Sequence, residues 1–315
     1  MRIYFCSDVH ASRKCWKKFL NSASFYQADY IIVGGDITGK FIVPIVEGSR
    51  GRKTAHFLGV ERTLRSEAEI EALKVQIADA GQYACEMTPD EQAWYAEDQT
   101  RVDTLFKKLA MDRVHEWIHE AEERLSGTGV RVFVSGANDD FFEVDEALAA
   151  SSLIEDPNGR FIELEHDYHI MGMGWGNITP WECPRDISEQ ELTARIDSIA
   201  ESLPDPGRTI FSLHVPPLGS GLDGAPRLDK DLRPVVGGFG PDIIAVGSQA
   251  TLDSIAKYQP LIGVHGHIHE SRGIAKISGV PVVNPGSEYA EGILDGALID
   301  IDPKKGITEI QLVAG

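Results

Sequence analysis

Five short segments of this chain end in side chains able to bind a metal ion. They are Asp8-Val-His10, Gly34-Gly-Asp36, Gly136-Ala-Asn-Asp-Asp140, the isolated His214, and Gly266-His-Ile-His269. Each follows directly on a short apolar run, at Arg2–Cys6, Tyr30–Val33, 130–134, Thr209–Leu213 and 261–264. A lone Asp-x-His, or a lone histidine after a strand, is ordinarily a hydrogen-bonded structural residue. An ordered set of such segments, each at a strand end, is far more specific. The donors are Asp8, His10, Asp36, Asn138, His214, His267 and His269, a mixture of oxygen and nitrogen without cysteine. That mixture suits Mn2+, Fe, Zn2+ or Ni2+ better than a structural thiolate zinc site. Seven side chains exceed the needs of one tetrahedral ion and suit two ions sharing a carboxylate.

Residues spread over about 260 positions meet only if the runs lie side by side with their ends at one edge. In an open α/β sheet the carboxyl ends of the strands border one crevice, where ligands bind. Several of the runs are continuously apolar, as strands covered on both faces are. Two more lie at His169–Met173 and 280–283, and helical stretches at 188–202 and 248–257 intervene. The pattern is that of an α/β layered domain. The tail, 297–301 and 307–313 around Asp302-Pro-Lys-Lys-Gly306, reads as a hairpin.

One interval is out of proportion. About ninety residues separate Val33 from Val130, where a strand–helix–strand unit needs only ~30. Its first part, 41–46 and 54–58 around Gly48-Ser-Arg-Gly51, predicts a β-hairpin, and the remainder predicts helix. Ile70, Leu73, Ile77, Ala80 and Ala84 make one apolar stripe. Thr88-Pro-Asp-Glu91 is a capping box with proline at the first helical position. A second helix carries Val102, Leu105, Phe106, Leu109, Val114, Trp117, Ile118, Ala121 and Leu125, and stops at Gly127-Thr-Gly129. The expected organisation is a core of residues 1–60 and 128–315 with a helical-hairpin insertion at 61–127. Such a hairpin covers the site, pairs with another copy in a homo-oligomer, or simply adds a helical layer.

The chain has 315 residues, with 30 Lys and Arg against 49 Asp and Glu, a formal charge of −19. Hydrophobic residues make up 42%, enough to fill a core. No run approaches the ~18 apolar residues of a membrane span. Met1 to Asp8 turns polar too early for a signal peptide. An acidic surface repels nucleic acid and anionic lipid, although a cation bound in a cleft reverses the sign locally. Cys6, Cys15, Cys85 and Cys183 form no C-x-x-C pair and read as buried thiols in a reducing compartment. The expectation is a soluble cytoplasmic protein with no membrane or nucleic-acid partner.

The order D-x-H, G-G-D, G-N-[H/D]-[D/E], H, G-H-x-H resembles that of the calcineurin-like metallophosphoesterase superfamily, in its uncharacterised prokaryotic branch. The match runs from Asp8 to His269, and Asn284-Pro-Gly-Ser287 matches many prokaryotic members; the insertion lies outside it. The resemblance implies a four-layered α/β/β/α sandwich and hydrolysis of small phosphate esters, whether monoesters or diesters. It implies one divalent ion on Asp8, His10, Asp36 and His269 and a second on Asp36, Asn138, His214 and His267, with Mn2+ first among the candidate metals. Asp36 bridges the pair, which such sites hold ~3.5–4 Å apart, and a bridging hydroxide attacks phosphorus. Asn138 adds a neutral oxygen, leaving the site net positive toward a bound phosphate.

The sequence departs from the fullest family pattern at two places. Ala137 precedes Asn138 where glycine is usual, and Asp139 stands where many members have the histidine that protonates the leaving group. A carboxylate beside two cations is held ionised and is a poor acid at neutral pH. Asp139 and His265, the residue directly before the last motif, are the catalytic candidates, with His265 equally able to serve as a partner to a ligand. Asp140 matches the acidic partner of the missing histidine. Arg13 and the cluster Arg50, Arg52, Lys53 are candidate phosphate clamps, the cluster reading also as a solvated turn. Trp175-Gly-Asn and Thr179-Pro-Trp181 make either a substrate wall or ordinary loop packing. His56, His115, His119, His166 and His169 match no motif. Two rival readings are a non-catalytic scaffold of the same fold, which has no chemical reason to keep the full donor set, and a DNA-processing nuclease, which the net charge opposes.

Overall fold

The computed structural model describes residues 1–238 and 240–315. The chain is a mixed α/β protein built around two six-stranded sheets. The first runs in the order Gly306–Ala314, Asp295–Asp302, Arg2–Cys6, Tyr30–Val33, Arg131–Val134, Ile154–Glu155. Its inner strands Arg2–Cys6, Tyr30–Val33 and Arg131–Val134 are parallel, and the expected C-terminal hairpin joins them antiparallel. The second sheet runs Gly273–Ile277, Val280–Asn284, Ile262–Val264, Thr209–Leu213, His169–Met173, Phe161–Glu163, with its central strands parallel and its edges antiparallel.

Side-chain alternation decides which core each residue enters. Ile3, Phe5, Tyr30, Ile32 and Phe133 of the first sheet meet Ile170, Ile210, Ile262, Val264 and Val283 of the second in one buried cluster. The alternate residues Tyr4, Cys6, Ile31, Val33, Val132 and Val134 pack on the helices Arg13–Phe25, Gln99–Leu125 and Glu143–Ala149. In the second sheet Met171, Met173, Phe211 and Leu213 turn toward the helices Glu189–Ala200 and Gln249–Tyr258. Inner strands are therefore apolar on both faces, and their polar residues begin where the strands end.

The insertion differs from the helical hairpin expected of it. A four-stranded sheet in the order Val60–Leu64, Lys53–Phe57, Ile42–Glu47, Tyr83–Met87 occupies much of this interval. The hairpin expected near 41–58 is present, pairing Ile45 with Ala55, and Val60–Leu64 extends it. The apolar stripe from Ile70 belongs to the helix Glu67–Asp79 only as far as Ile77; Ala84 lies on the strand Tyr83–Met87, which pairs parallel with Ile42–Glu47. Gly81, at φ +77°, makes the turn between them, and a side chain there would collide with the His10 carbonyl. Only glycine meets both demands without strain. The capping box forms as expected, with Thr88 and Glu91 bonding reciprocally at the start of Pro89–Ala96.

The helix Gln99–Leu125 is buried only from Ala110 onward, at Ala110, Val114, Trp117, Ile118, Ala121 and Leu125. There Trp117 stacks on Trp16 with ring centroids 4.6 Å apart. In its first half Phe106 packs edge-on against Tyr83 of the third sheet at 5.5 Å. Cys6 and Cys15 are buried, whereas Cys85 and Cys183 are half-buried, correcting the expectation for those two; all four thiols are free. Among the described residues no helix is long and apolar enough to cross a membrane. Trp117→Ala removes one ring of the buried stack. It is expected to cost about 3–5 kcal/mol, read as a lower urea midpoint at unchanged slope.

Candidate metal centre

The carboxyl ends of five inner strands, three from the first sheet and two from the second, bring their side chains to one place at the sheet edge. Asp8, His10 and His269 present ligand atoms within 4.8 Å of one another, and so do Asp36, His214 and His267. A third group, His10, Asp36 and Asp139, shares His10 with the first and Asp36 with the second. The groups are continuous. His214 Nε2 lies 3.4 Å from Asp36 Oδ2 and 3.8 Å from Asp8 Oδ1, and His10 Nε2 lies 3.9 and 4.0 Å from the same oxygens. Asn138 is buried, with its Nδ2 donating to Asp186 Oδ1 at 3.3 Å.

Backbone conformation aims these groups. Asp8, His10, Ala11, Asp36 and His267 have φ of 56°, 37°, 55°, 51° and 65°, a left-handed region that residues with a Cβ seldom enter. Such strain persists where the surroundings over-determine it, and it gathers at functional sites. Here the first two motif loops zip together. Asp8 N donates to Gly35 O, His10 N to Asp36 O and Ala11 N to Ile37 O, at 3.0, 3.0 and 2.8 Å. Gly35 leaves no room for a side chain, since a Cβ would strike Ala137 and the His214 ring. Carbonyls orient two of the imidazoles. His10 Nδ1 sits 3.0 Å from Thr38 O and His214 Nδ1 3.1 Å from Gly34 O, which turns each Nε2 inward.

The Asn284-Pro-Gly-Ser287 segment acts as a bracket. Asn284 Nδ2 reaches the carbonyls of Leu222, Gly266 and Ile268 at 3.2, 3.2 and 2.9 Å, and Ser287 Oγ donates to Asp8 O at 2.7 Å. The last motif is thereby fixed to the first. The His267 N–H completes the join by donating to the Asp8 carboxylate, 3.1 and 3.0 Å from its two oxygens.

Electrostatics ready the two carboxylates and two of the four imidazoles for a metal, while, against burial, Asp8 and Asp36 raise His269 and His214 toward the protonated form. Burial pushes the Asp8 and Asp36 carboxyls up, but His214 and its fellow imidazoles outweigh it and hold both below the usual carboxylate range. Burial, reinforced by Lys40 for His10 and by His214 for His267, lowers these two imidazoles to about 4, so they are neutral. Burial pulls His214 the same way, yet Asp36 and Asp8 lift it to about 9. Asn138 Oδ1 is among the buried polar atoms that have no hydrogen-bond partner among the described residues, and so is His214 Nε2, which has only its ion-pair contacts with Asp36 and Asp8. An orphaned buried polar atom costs roughly 1–3 kcal/mol. A divalent cation would accept the Asn138 oxygen and, by displacing its proton, the His214 nitrogen, so the residues present fit such an ion.

The remaining sequence candidates fare differently. Asp139 directs Oδ2 to Lys40 Nζ at 2.9 Å, accepts from Cys183 Sγ at 3.1 Å through Oδ1, and donates its N–H to Asp36 Oδ1 at 3.1 Å. Asp140, which matches the acidic partner of the missing histidine, is spent instead on the neighbouring backbone and on Thr38. It is fully buried and accepts from Ile37 N, Thr38 N, Thr38 Oγ1 and Ala137 N at 3.1, 2.8, 2.6 and 2.8 Å, pinning the second motif to the third. Burial, with the charge of Asp36, raises its carboxyl to about 6. His265 is not brought to the pocket. Its Nδ1 is spent on Leu213 O at 2.7 Å, and its Nε2 points toward Gly263 and Ile255, on the side of the helix Gln249–Tyr258. Burial holds it neutral, at about 4, and it has no exposed path to a leaving group.

Arg13 is occupied by Asp79 at 3.0 Å, tying the first helix to Glu67–Asp79. Arg50 and Arg52 are exposed and Lys53 pairs with Glu86, so none of these expected clamps joins the cluster. Trp175 packs on Phe142 at 5.6 Å and under the Arg195 guanidinium at 4.1 Å, which is loop packing. Trp181 is 62% exposed. Sequence reasoning missed Lys40, Tyr289 and Arg185. Tyr289 lays its ring 4.6 Å from that of His10 and 5.8 Å from that of His269. Arg185 is fully buried, bidentate on Asp145 at 3.0 and 2.8 Å, and donates to Asp140 O and Phe141 O. Lys40 had a readable signal, a cation just beyond Gly34-Gly-Asp36; the other two have none. Asn284→Ala removes the bracket without touching a donor. It is expected to weaken Mn2+ affinity by about 10–100-fold, measured by titration calorimetry, with secondary structure retained.

No family model matches the chain. An uncharacterised protein of Methanocaldococcus jannaschii is 31% identical over 151 residues, 47% of this chain. The chain spans about 60% of the length of that curated relative. Among solved structures, one is 16% identical and aligns over 99% of this chain and 98% of its own, with a TM-score of 0.58. The crystal structure of TT1561 from Thermus thermophilus is 13% identical, covers 100% and 97%, and has a TM-score of 0.54. At such identities the likeness is one of fold. On this shared fold the Asp/His segments singled out in the sequence come together at one edge of the two main sheets.

Proposed function

We propose that this chain is a metal-dependent hydrolase of small phosphate esters, a metallophosphoesterase with a four-layered α/β/β/α core. Two divalent ions, Mn2+ first among them, would be held by Asp8, His10, Asp36 and His269 and by Asp36, Asn138, His214 and His267. The observation that carries this reading is the pair of Asp/His clusters buried in one pocket, with Asp36 belonging to more than one group. Ions bound there would supply Lewis-acid activation of water and of the phosphoryl group.

The chain's own residues do the positioning. Thr38 O and Gly34 O fix the imidazoles of His10 and His214. The Asp139 N–H engages Asp36 Oδ1, leaving Oδ2 toward His10 and His214. Asn138 contributes a neutral oxygen, so the pocket keeps its attraction for an anionic substrate. With His265 buried and Asp139 in an ion pair, esters whose leaving group needs little protonation suit the site best. The third sheet and its helices adjoin the pocket through Gly81 and His10, where a cap would sit. A non-catalytic scaffold is disfavoured, because it has no use for strained backbone and unpaired buried donors at these positions.

Hydrolysis of p-nitrophenyl phosphate and bis-p-nitrophenyl phosphate tests the reading. Turnover of at least one is expected with Mn2+, none after chelation, and a loss of about 10^2-fold or more in kcat for Asp36→Ala. Manganese-replete protein inert on both esters overturns it. Mn2+ at about 100 times its Kd is also expected to stabilise the wild type by about 2.7 kcal/mol in thermal denaturation, and Asp36→Ala to lose most of that gain.

A further inference from the structure

We propose that Lys40 is a phosphate-binding residue, its ammonium held at the rim of the metal centre by Asp139 as a positioning residue. The proposal rests on the reading above and adds a substrate contact to it. The backbone leading to Lys40 is immobilised. Gly39 N donates to Tyr83 Oη at 2.7 Å, and a side chain at Gly39 would strike the Gly81 carbonyl. The tip is fixed as well, with Lys40 Nζ 2.9 Å from Asp139 Oδ2. Asp139 is anchored in turn by its N–H to Asp36 Oδ1 and by Cys183 Sγ on its other oxygen. A carboxylate oxygen of Asp139 lies within 4.8 Å of ligand atoms of His10 and Asp36, so the ammonium stands one carboxylate away from the cluster. Both side chains keep solvent access, at 38% and 25%, which places the pair at the open side of the pocket rather than in the core.

Charge explains why a cation belongs there. Asp139 is a carboxylate where a phosphate would approach, and unpaired it would repel that anion. Lys40 cancels it and has donors to spare. An ammonium offers three N–H groups, so the bond to Asp139 leaves two for a phosphate oxygen, and such charge-assisted bonds are the strong ones. Of the other basic residues expected to clamp phosphate, Arg13 is paired with Asp79 and Lys53 with Glu86, while Arg50 and Arg52 stand exposed on the hairpin turn away from the cluster.

The test uses Mn2+-loaded wild type, Lys40→Met, Lys40→Arg, and Lys40→Met combined with Asp139→Asn. Inorganic phosphate binding is measured by calorimetry, and KM and kcat with p-nitrophenyl phosphate. Lys40→Met is expected to weaken phosphate binding and raise KM by about tenfold or more, with bound manganese unchanged. Lys40→Arg is expected to recover most of the loss, and Asp139→Asn in the Met background to recover little. Phosphate affinity within about twofold of wild type in Lys40→Met overturns the proposal. Full recovery in the double variant also overturns it, by reducing Lys40 to a neutraliser of Asp139. Should Lys40→Met misfold, the wild type decides: phosphate is expected to shield Lys40 from an amine-acetylating reagent, read by mass spectrometry, and unchanged labelling overturns the contact. Wild-type protein that neither binds phosphate nor hydrolyses ester overturns the phosphoesterase reading itself. Wild type that binds phosphate while Lys40 proves indifferent overturns this proposal alone.

Discussion

Asp8 and Asp36 are both buried, both ionised, and share the same imidazoles. Burying a single carboxylate costs several kcal/mol unless it is paired and hydrogen-bonded, and burying two side by side is worse. The arrangement persists because each charge is met from more than one direction. His214 stands between them, the His267 N–H caps Asp8 and the Asp139 N–H caps Asp36. Reaching those positions requires left-handed backbone at residues with side chains. That strain is tolerable only because the strands entering the turns are locked by large apolar cores on both faces. Sheet packing, loop conformation and site electrostatics are thus one problem with one solution.

Much of this was legible in the sequence for a single reason. Parallel inner strands are apolar throughout, so the first polar residues after them mark the sheet edge, and the ligands are those residues. The strands at Arg2–Cys6, Tyr30–Val33 and Thr209–Leu213 could be bounded to the residue on that basis. The strand Tyr83–Met87 could not, because helical spacing of apolar residues continued by coincidence across the turn at Gly81.

His265 shows a subtler limit. Residues 265, 267 and 269 share one parity, and in a regular extended segment they would point the same way. The left-handed conformation at His267 breaks that alternation, so His265 keeps the strand's direction toward the helix side while the next two histidines turn into the pocket. Asp140 and Arg185 were opaque for another reason. Their partners lie on other loops or are backbone atoms, and nothing in the local pattern announces a carboxylate that will accept four bonds.

The helix Gln99–Leu125 contains neither proline nor glycine and, at about 1.5 Å per residue, extends some 40 Å. One end leans on the third sheet and the other is stacked against Trp16, so it behaves as a beam with no joint along its length. The beam itself therefore offers no hinge, and any swing of the third sheet falls to the short connections before it, at Thr88 and at Glu97–Asp98. Loosening it uncovers part of the main core, and tightening it braces the same core. A molecule seated on one end of the beam would therefore bear on both regions, on the third sheet through Phe106 and on the main core through the Trp16 stack.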